Sequence, residues 1–446
     1  MLEAIGLELP ESARAVGPAL LFERMRLRLR GLGTKPRDPA EIAAADRLKM
    51  SVLRSAASGM TTIDPVISSL FQIRHLHMAL KTGDAYEVAC ALATEVGFVS
   101  IGGERSRERT DKLVQLAEAA VQKVDDPYPR GLLAVGRGFA AFHLGDFPAA
   151  MERFAAAEEV LRNECVGVSY EITLTESFRL MTLFFRGRIR EMAESLGTWL
   201  IEARERDDLW AETTLVAGPQ CIRWLAVDDH VRARGELGHA SGRWSEGGFA
   251  VQRLWTFIAN IHVDLYAAEG LVAWRRLTRR WEQLTSSYVF QAQWYRILLR
   301  YLRACAALAV LCGGKGVIDR EGLLGLCEED IRSLDVERAA WGRPLADLVR
   351  ASLASLRGRT DAAIEALRSA EEGFGRVDMA LHGAVARRLR GILVGGELGA
   401  EMIVGAEAFM TEQGITNPRR MSRMLAPAVE DMRPAVIGRV PPRSGE

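Results

Sequence analysis

No apolar run in the 446-residue chain is long enough to cross a bilayer. Its charge-free apolar stretches, Leu254–Val263 and Ala304–Gly314 among them, hold about ten residues where roughly 20 are needed. Surplus charge is also missing. Fifty-eight basic side chains balance 58 acidic ones, which removes any global electrostatic pull toward nucleic acid or an anionic membrane. The first residues, with Glu3, Glu8 and Glu11, lack the basic start and apolar run of a secretory signal. The six cysteines (Cys90, Cys165, Cys221, Cys305, Cys312, Cys327) form no CxxC pair and stand in apolar helical text. That is the pattern of reduced, buried thiols in a cytoplasm, not of a disulfide frame. Strand signals are equally scarce, because sustained alternation is rare and β-branched residues are few beside alanine, leucine, arginine and glutamate.

What remains is helix, in a chain long enough for two or three domains or for one extended array. One window stands out: Gly131–Glu164, GLLAVGRGFAAFHLGDFPAAMERFAAAEEVLRNE. It reads as two helices around a Gly145-Asp146 turn, with small Gly138 where a neighbouring backbone passes, and with Ala150 and Ala157 flanking bulky Phe154. This is the tetratricopeptide pattern of small residues at crossing points and a large knob between them. The same register recurs with turns at Gly145, Gly187, Asp228, Ala268 and Gly358. Nine residues after each stands a large apolar side chain: Phe154, Leu196, Leu237, Leu277 and Leu367. Five residues after each stands Ala150, Met192, Ala233, Ala273 or Ala363. The wide last gap predicts one more pair, broken at Gly313-Gly314.

The expected fold is therefore all-α, a right-handed αα superhelix of tetratricopeptide-like pairs. Residues 1–130 form helical repeats of ambiguous register, 131–311 the clearest pairs, 312–427 further repeats with a capping helix from Asn417-Pro418, and 428–446 a disordered tail rich in proline, glycine and arginine.

The stretch from Leu48, LKMSVLRSAASGMTTIDPVISSLFQIRHLHMALKTGDAYEVACALATEVGFVSIGG, resembles the C-terminal helical-repeat region of large bacterial serine/threonine kinases. Those proteins join a kinase domain to an AAA-type ATPase domain and end in tetratricopeptide-like repeats. The segment FMTEQGITNPRRMSRMLAP, from Phe409, is similar to their ending. The resemblance implies a regulatory module of that signalling class, without the kinase itself. There is no HRD loop, no DFG and no VAIK lysine, and Asp146-Phe147-Pro148 belongs to a repeat turn. Gly313-Gly314-Lys315-Gly316 lacks the serine or threonine and the upstream glycine of a Walker A loop.

Other chemical motifs dissolve on inspection. Gly136-Arg137-Gly138-Phe139-Ala140-Ala141 fits a dinucleotide fingerprint but lies within a helix, not at a strand–helix junction. His75 and His77 point about 200° apart on a helix and cannot share an ion. The acidic doublets Asp125-Asp126 and Asp207-Asp208 fall at helix ends. Arg24, Arg26, Arg28 and Arg30 read as an exposed face with snorkelled stems. No base–nucleophile pair, cofactor or metal is expected, and hence no enzyme.

Two functions stay open. The first is a scaffold that holds a protein or peptide in a concave groove, with no nucleic acid and no membrane as partner. Counting back from the turns puts Phe139, Phe142 and His143, and Trp255, Ile258, His262 and Tyr266, on that face. The second is a small-molecule-sensing domain, since all nine tryptophans lie between Trp199 and Trp341. Tryptophans filling a wide solenoid core give the same clustering.

Overall fold

The computed structural model describes residues 10, 13–243, 251–313 and 319–429. Of these, 82% are helical, in 22 α-helices and four short 3-10 segments, and no strand occurs among them. The expected tail lies outside the described residues except for Ala428 and Val429, which are both fully buried rather than loose. Gly314, Lys315 and Gly316 lie outside them as well. Among the described residues no helix is long and apolar enough to cross a membrane.

All five turns expected from the repeat register have positive φ: Gly145 at 78°, Gly187 at 74°, Asp228 at 63°, Ala268 at 62° and Gly358 at 70°. Each closes with the same pair of backbone bonds. At the first, Gly145 N donates to Phe142 O (3.0 Å) and Asp146 N reaches back to Ala141 O (2.9 Å). This Schellman closure satisfies carbonyls that the helix end leaves without a donor, and it needs a left-handed residue. The next residue restarts a helix. Asp146 caps Phe147–Glu164 by accepting from Ala149 N at 3.2 Å.

The packing register holds with equal consistency. Phe154, Leu196, Leu237, Leu277 and Leu367 are all 0% exposed, and so are the five residues at the preceding small position. One detail differs from the sequence reading. A Cβ on Gly138 would meet the Phe154 ring at 2.5 Å, so this glycine admits the knob of its own pair. The close backbone crossing is at Gly136, where a Cβ would lie 2.7 Å from Ala93 O.

The remaining pairs fall into place around these. Pro65–Thr82 and Ala85–Ser100 join across Gly83-Asp84, the upstream copy whose register the text left ambiguous. Gln293–Cys312 and Arg320–Val336 form the pair expected in the wide gap. The capping helix is Pro418–Leu425, with Asn417 accepting from Arg420 N. The Asp228 pair is irregular: Gly218-Pro219 splits its first helix into Leu209–Val216 and Ile222–Ala226.

A second order lies above the pairs, and it is not local. Glu104 N donates to Gln293 Oε1 (2.9 Å), 189 residues away. Thr416 Oγ1 donates to Ala226 O (3.0 Å) across 190 residues. Arg186 Nε pairs with Asp378 (2.6 Å), and Arg420 Nη1 with Asp228 (2.8 Å), each across 192. The turns follow the same order. Gly145 packs on Trp341, Gly187 on Leu381, and Asp228 holds Asn417. A nearly constant separation means that the chain returns upon itself at a fixed interval, so later pairs cover the turns of earlier ones. A single buried apolar cluster accordingly runs from Phe142 to Val429.

Candidate functional site

That return decides where the residues expected on a concave face lie. Phe142, His143, Trp255, His262 and Tyr266 are between 0% and 5% exposed, and Phe139 is half-buried. The expectation that they face an open groove is corrected: the inner face of the array is covered by its own chain. His262 Nδ1 meets Ile258 O at 3.1 Å, its ring packs on Phe184, and His382 lies close by. Tyr266 donates its hydroxyl to Asp228 at 2.7 Å, in the joint that anchors Arg420 and Asn417. Ile258 is 2% exposed. These three serve the interior.

Phe139, His143 and Trp255 converge elsewhere. They line an apolar cavity of about 170 Å³ together with Phe178, Trp294 and Tyr295. Its walls come from two stretches of chain, 58–178 and 251–295, joined at the rim by Val251 N donating to Thr62 O (2.8 Å) and Gln293 N to Ile101 O (3.1 Å). Pro127–Leu144 supplies Phe139 and His143 four residues apart, hence on one face. Phe139 sets its edge on Phe178 at 4.6 Å. Phe142 stands behind, 5.2 Å from Phe178 and 5.6 Å from Trp294, and fixes both rings from outside. At the mouth, Ser58, Tyr170 and Glu171 are shared with an open groove of about 570 Å³. There Glu171 accepts from the Tyr128 hydroxyl at 2.8 Å.

The surface of the cavity is mostly apolar, though the hydroxyl-bearing Thr61, Thr62, Ser69, Thr94, Tyr170 and Tyr288 also line it, and two polar pairs stand out. Trp255 Nε1 donates to the Tyr295 hydroxyl at 2.7 Å, and burial pushes that phenol well above its usual range. His143 Nδ1 lies 2.9 Å from Ser100 Oγ, and burial pushes the imidazole down to about 3. The sequence reading expected no base–nucleophile pair, yet a serine and a histidine do meet here. As a catalytic pair they are poorly equipped. The imidazole is too weak a base near neutral pH, and the serine is 2% exposed with its proton on Gly97 O.

Of the tryptophans among the described residues, only Trp255 and Trp294 reach this cavity. Trp199 and Trp341 are buried in packing, and Trp244 lies outside the described residues. Ser100, Phe178 and Tyr295 were not singled out in the sequence. Their partners across the cavity are more than 35 residues away, and no local spacing marks them. His75 and His77 have separate partners, as their spacing requires: Glu87 (2.7 Å) and Glu23 O (3.1 Å). The N-terminal arginines are partly consumed by packing, since Arg24 pairs with Glu95 and Arg30 donates to Leu80 O.

A second, wider groove of about 900 Å³ is basic, lined by Arg253, Arg275, Arg276, Arg279 and Arg280. Arg276 is already held by Asp264 (2.8 Å), and Arg275, Arg279 and Arg280 are exposed. Comparison with protein families and with curated proteins finds no match to this chain.

Proposed function

We propose that this chain is a non-enzymatic sensor, a tetratricopeptide-like right-handed αα superhelix that binds a small apolar molecule inside its winding. The observation that carries this reading is the aromatic cavity whose walls come from two stretches one chain-return apart. The separations of 189 to 192 residues support coils that touch, with the cavity between them. A ligand there contacts residues 58–178 and 251–295 together, so it favours the closed packing over any arrangement in which those stretches part. Occupancy is thereby coupled to the shape of the whole array. That coupling is what a sensory module requires.

The alternative, a scaffold gripping a peptide in a concave groove, has five of its six contact residues buried and Phe139 half-buried. The cytoplasmic setting rests on the cysteine pattern, and the association with kinase signalling on the sequence resemblance alone. They give the reading its context without adding to its support.

Trp255 and Trp294 make the test direct. Titration of the full chain with small neutral aromatic compounds is expected to change tryptophan emission saturably and to raise the melting temperature. An emission spectrum indifferent to such compounds, but altered by a protein partner, overturns the sensor in favour of the scaffold.

A further inference from the structure

We infer that the cavity selects a small neutral molecule carrying a hydroxyl group, a phenol or an alcohol of similar bulk, whose hydroxyl donates to Nε2 of His143. This inference rests on the ligand-binding reading above and adds the chemical class of the ligand.

The argument begins at the end of the Ala85–Ser100 helix. Gly97 lies in its last turn, where carbonyls run out of intrahelical donors. Ser100 Oγ donates its one hydrogen to Gly97 O at 2.8 Å. The contact between Ser100 Oγ and His143 Nδ1, 2.9 Å long, then needs its proton from the ring. A neutral imidazole has a single N–H, so Nδ1 carries it and Nε2 is a bare acceptor. Burial keeps the ring neutral. Nε2 has no hydrogen-bond partner among the described residues, although the side chain is only 5% exposed. The imidazole packs near the Phe139 and Phe142 rings, with centroids 6.2 and 5.9 Å away. Nε2 keeps some accessible surface on a residue that lines the cavity, so a ligand hydroxyl can donate to it in the place of solvent.

A second polar point agrees. The Tyr295 hydroxyl accepts from Trp255, and its own proton has no acceptor among the described residues. The cavity therefore offers the His143 acceptor and the Tyr295 donor in an aromatic surround, beside further hydroxyls such as that of Tyr170, and a ligand hydroxyl can answer either. Charge narrows the class further. No lysine or arginine lines the cavity, and the ionisable carboxyl at its mouth is Glu171, so a carboxylate or phosphate finds no counter-charge. Size sets the rest. A closed apolar cavity of about 150 Å³ takes one benzene ring, so about 170 Å³ suits one ring with a substituent or a chain of like volume.

Phenol and its isostere toluene separate the two levels of the argument. Their affinities for the full chain are measured by calorimetry, for the native protein, for His143→Leu and for Ser100→Ala. The expected result is that both probes bind the native protein. The preference for phenol over toluene then falls about tenfold in His143→Leu, while toluene binding stays. Ser100→Ala leaves the cavity wall in place but frees the tautomer, and it should weaken the phenol preference too. Should His143→Leu fail to fold, Ser100→Ala alone carries the test. An unchanged phenol-to-toluene ratio in the variants overturns the role of His143 and leaves the cavity a binding site. Preferred binding of benzoate overturns the neutral class. Failure of the native protein to bind any of the probes overturns the sensor reading itself.

Discussion

Gly145 and Gly358 occupy the same position in two repeats, yet alanine should cost very different amounts at the two. Both are left-handed turn residues, at φ 78° and 70°. Forcing an alanine into that region costs about 1–2 kcal/mol through its Cβ. At Gly358 nothing lies within 4 Å of the added atom, so Gly358→Ala should cost about that amount and no more. At Gly145 the added atom would lie 2.2 Å from Cδ1 of Trp341, which is 1% exposed and has no room to retreat. Overpacking of this kind adds about 1–3 kcal/mol, so Gly145→Ala should cost about 2–5 kcal/mol in total. Gly187 should behave like Gly145, because a Cβ there meets the backbone N of Leu381 at 2.4 Å. The three variants are compared by denaturant unfolding followed by far-ultraviolet circular dichroism, with Trp341 emission as a local reporter. Gly358→Ala is the internal control, since backbone strain is common to all three. Equal losses at Gly145 and Gly358 would refute the return of the chain upon its own turns, and with it the closed inner face.

Acid should act through His382, which is 2% exposed and packed against Phe374. Burial, and then the neighbouring His262, push its imidazole down to about 3. Because the folded value lies below the unfolded one near 6.5, the folded state binds fewer protons between them. Stability is therefore intact above pH 6.5 and falls as pH drops toward 3, by about 2 kcal/mol at pH 5 from this group. His382→Phe should lose about 2 kcal/mol less than the native protein between pH 7 and pH 5 in matched unfolding curves, and parallel curves would refute the assignment. Thiol chemistry offers a further check. Cys90 and Cys327 are buried, with thiols pushed up to about 12, and Cys221 and Cys305 are buried and raised further, whereas Cys165 and Cys312 are half-exposed. A colourimetric thiol reagent should label two cysteines in the native protein and six after unfolding.

The sequence alone determined the pairs. A left-handed turn followed five and nine residues later by a small and a large apolar side chain is a local requirement, met within one helical hairpin, and periodic text records it. For that reason the five turns, their buried knobs and the Asn417-Pro418 cap were legible without coordinates. Phe139, His143 and Trp255 were singled out by helical phase, and the structure brings all three to the wall of one cavity. What covers the inner face was not legible. Trp341 over Gly145, Leu381 over Gly187 and Asn417 on Asp228 join residues nearly 200 positions apart, and no local preference encodes such a meeting. It depends on small rotations between successive pairs, summed over a full return of the chain. Only the tertiary structure decided that sum. It turned an expected open groove into an interior, sent His262 and Tyr266 into packing, and set Ser100 beside His143 at the wall of an aromatic cavity.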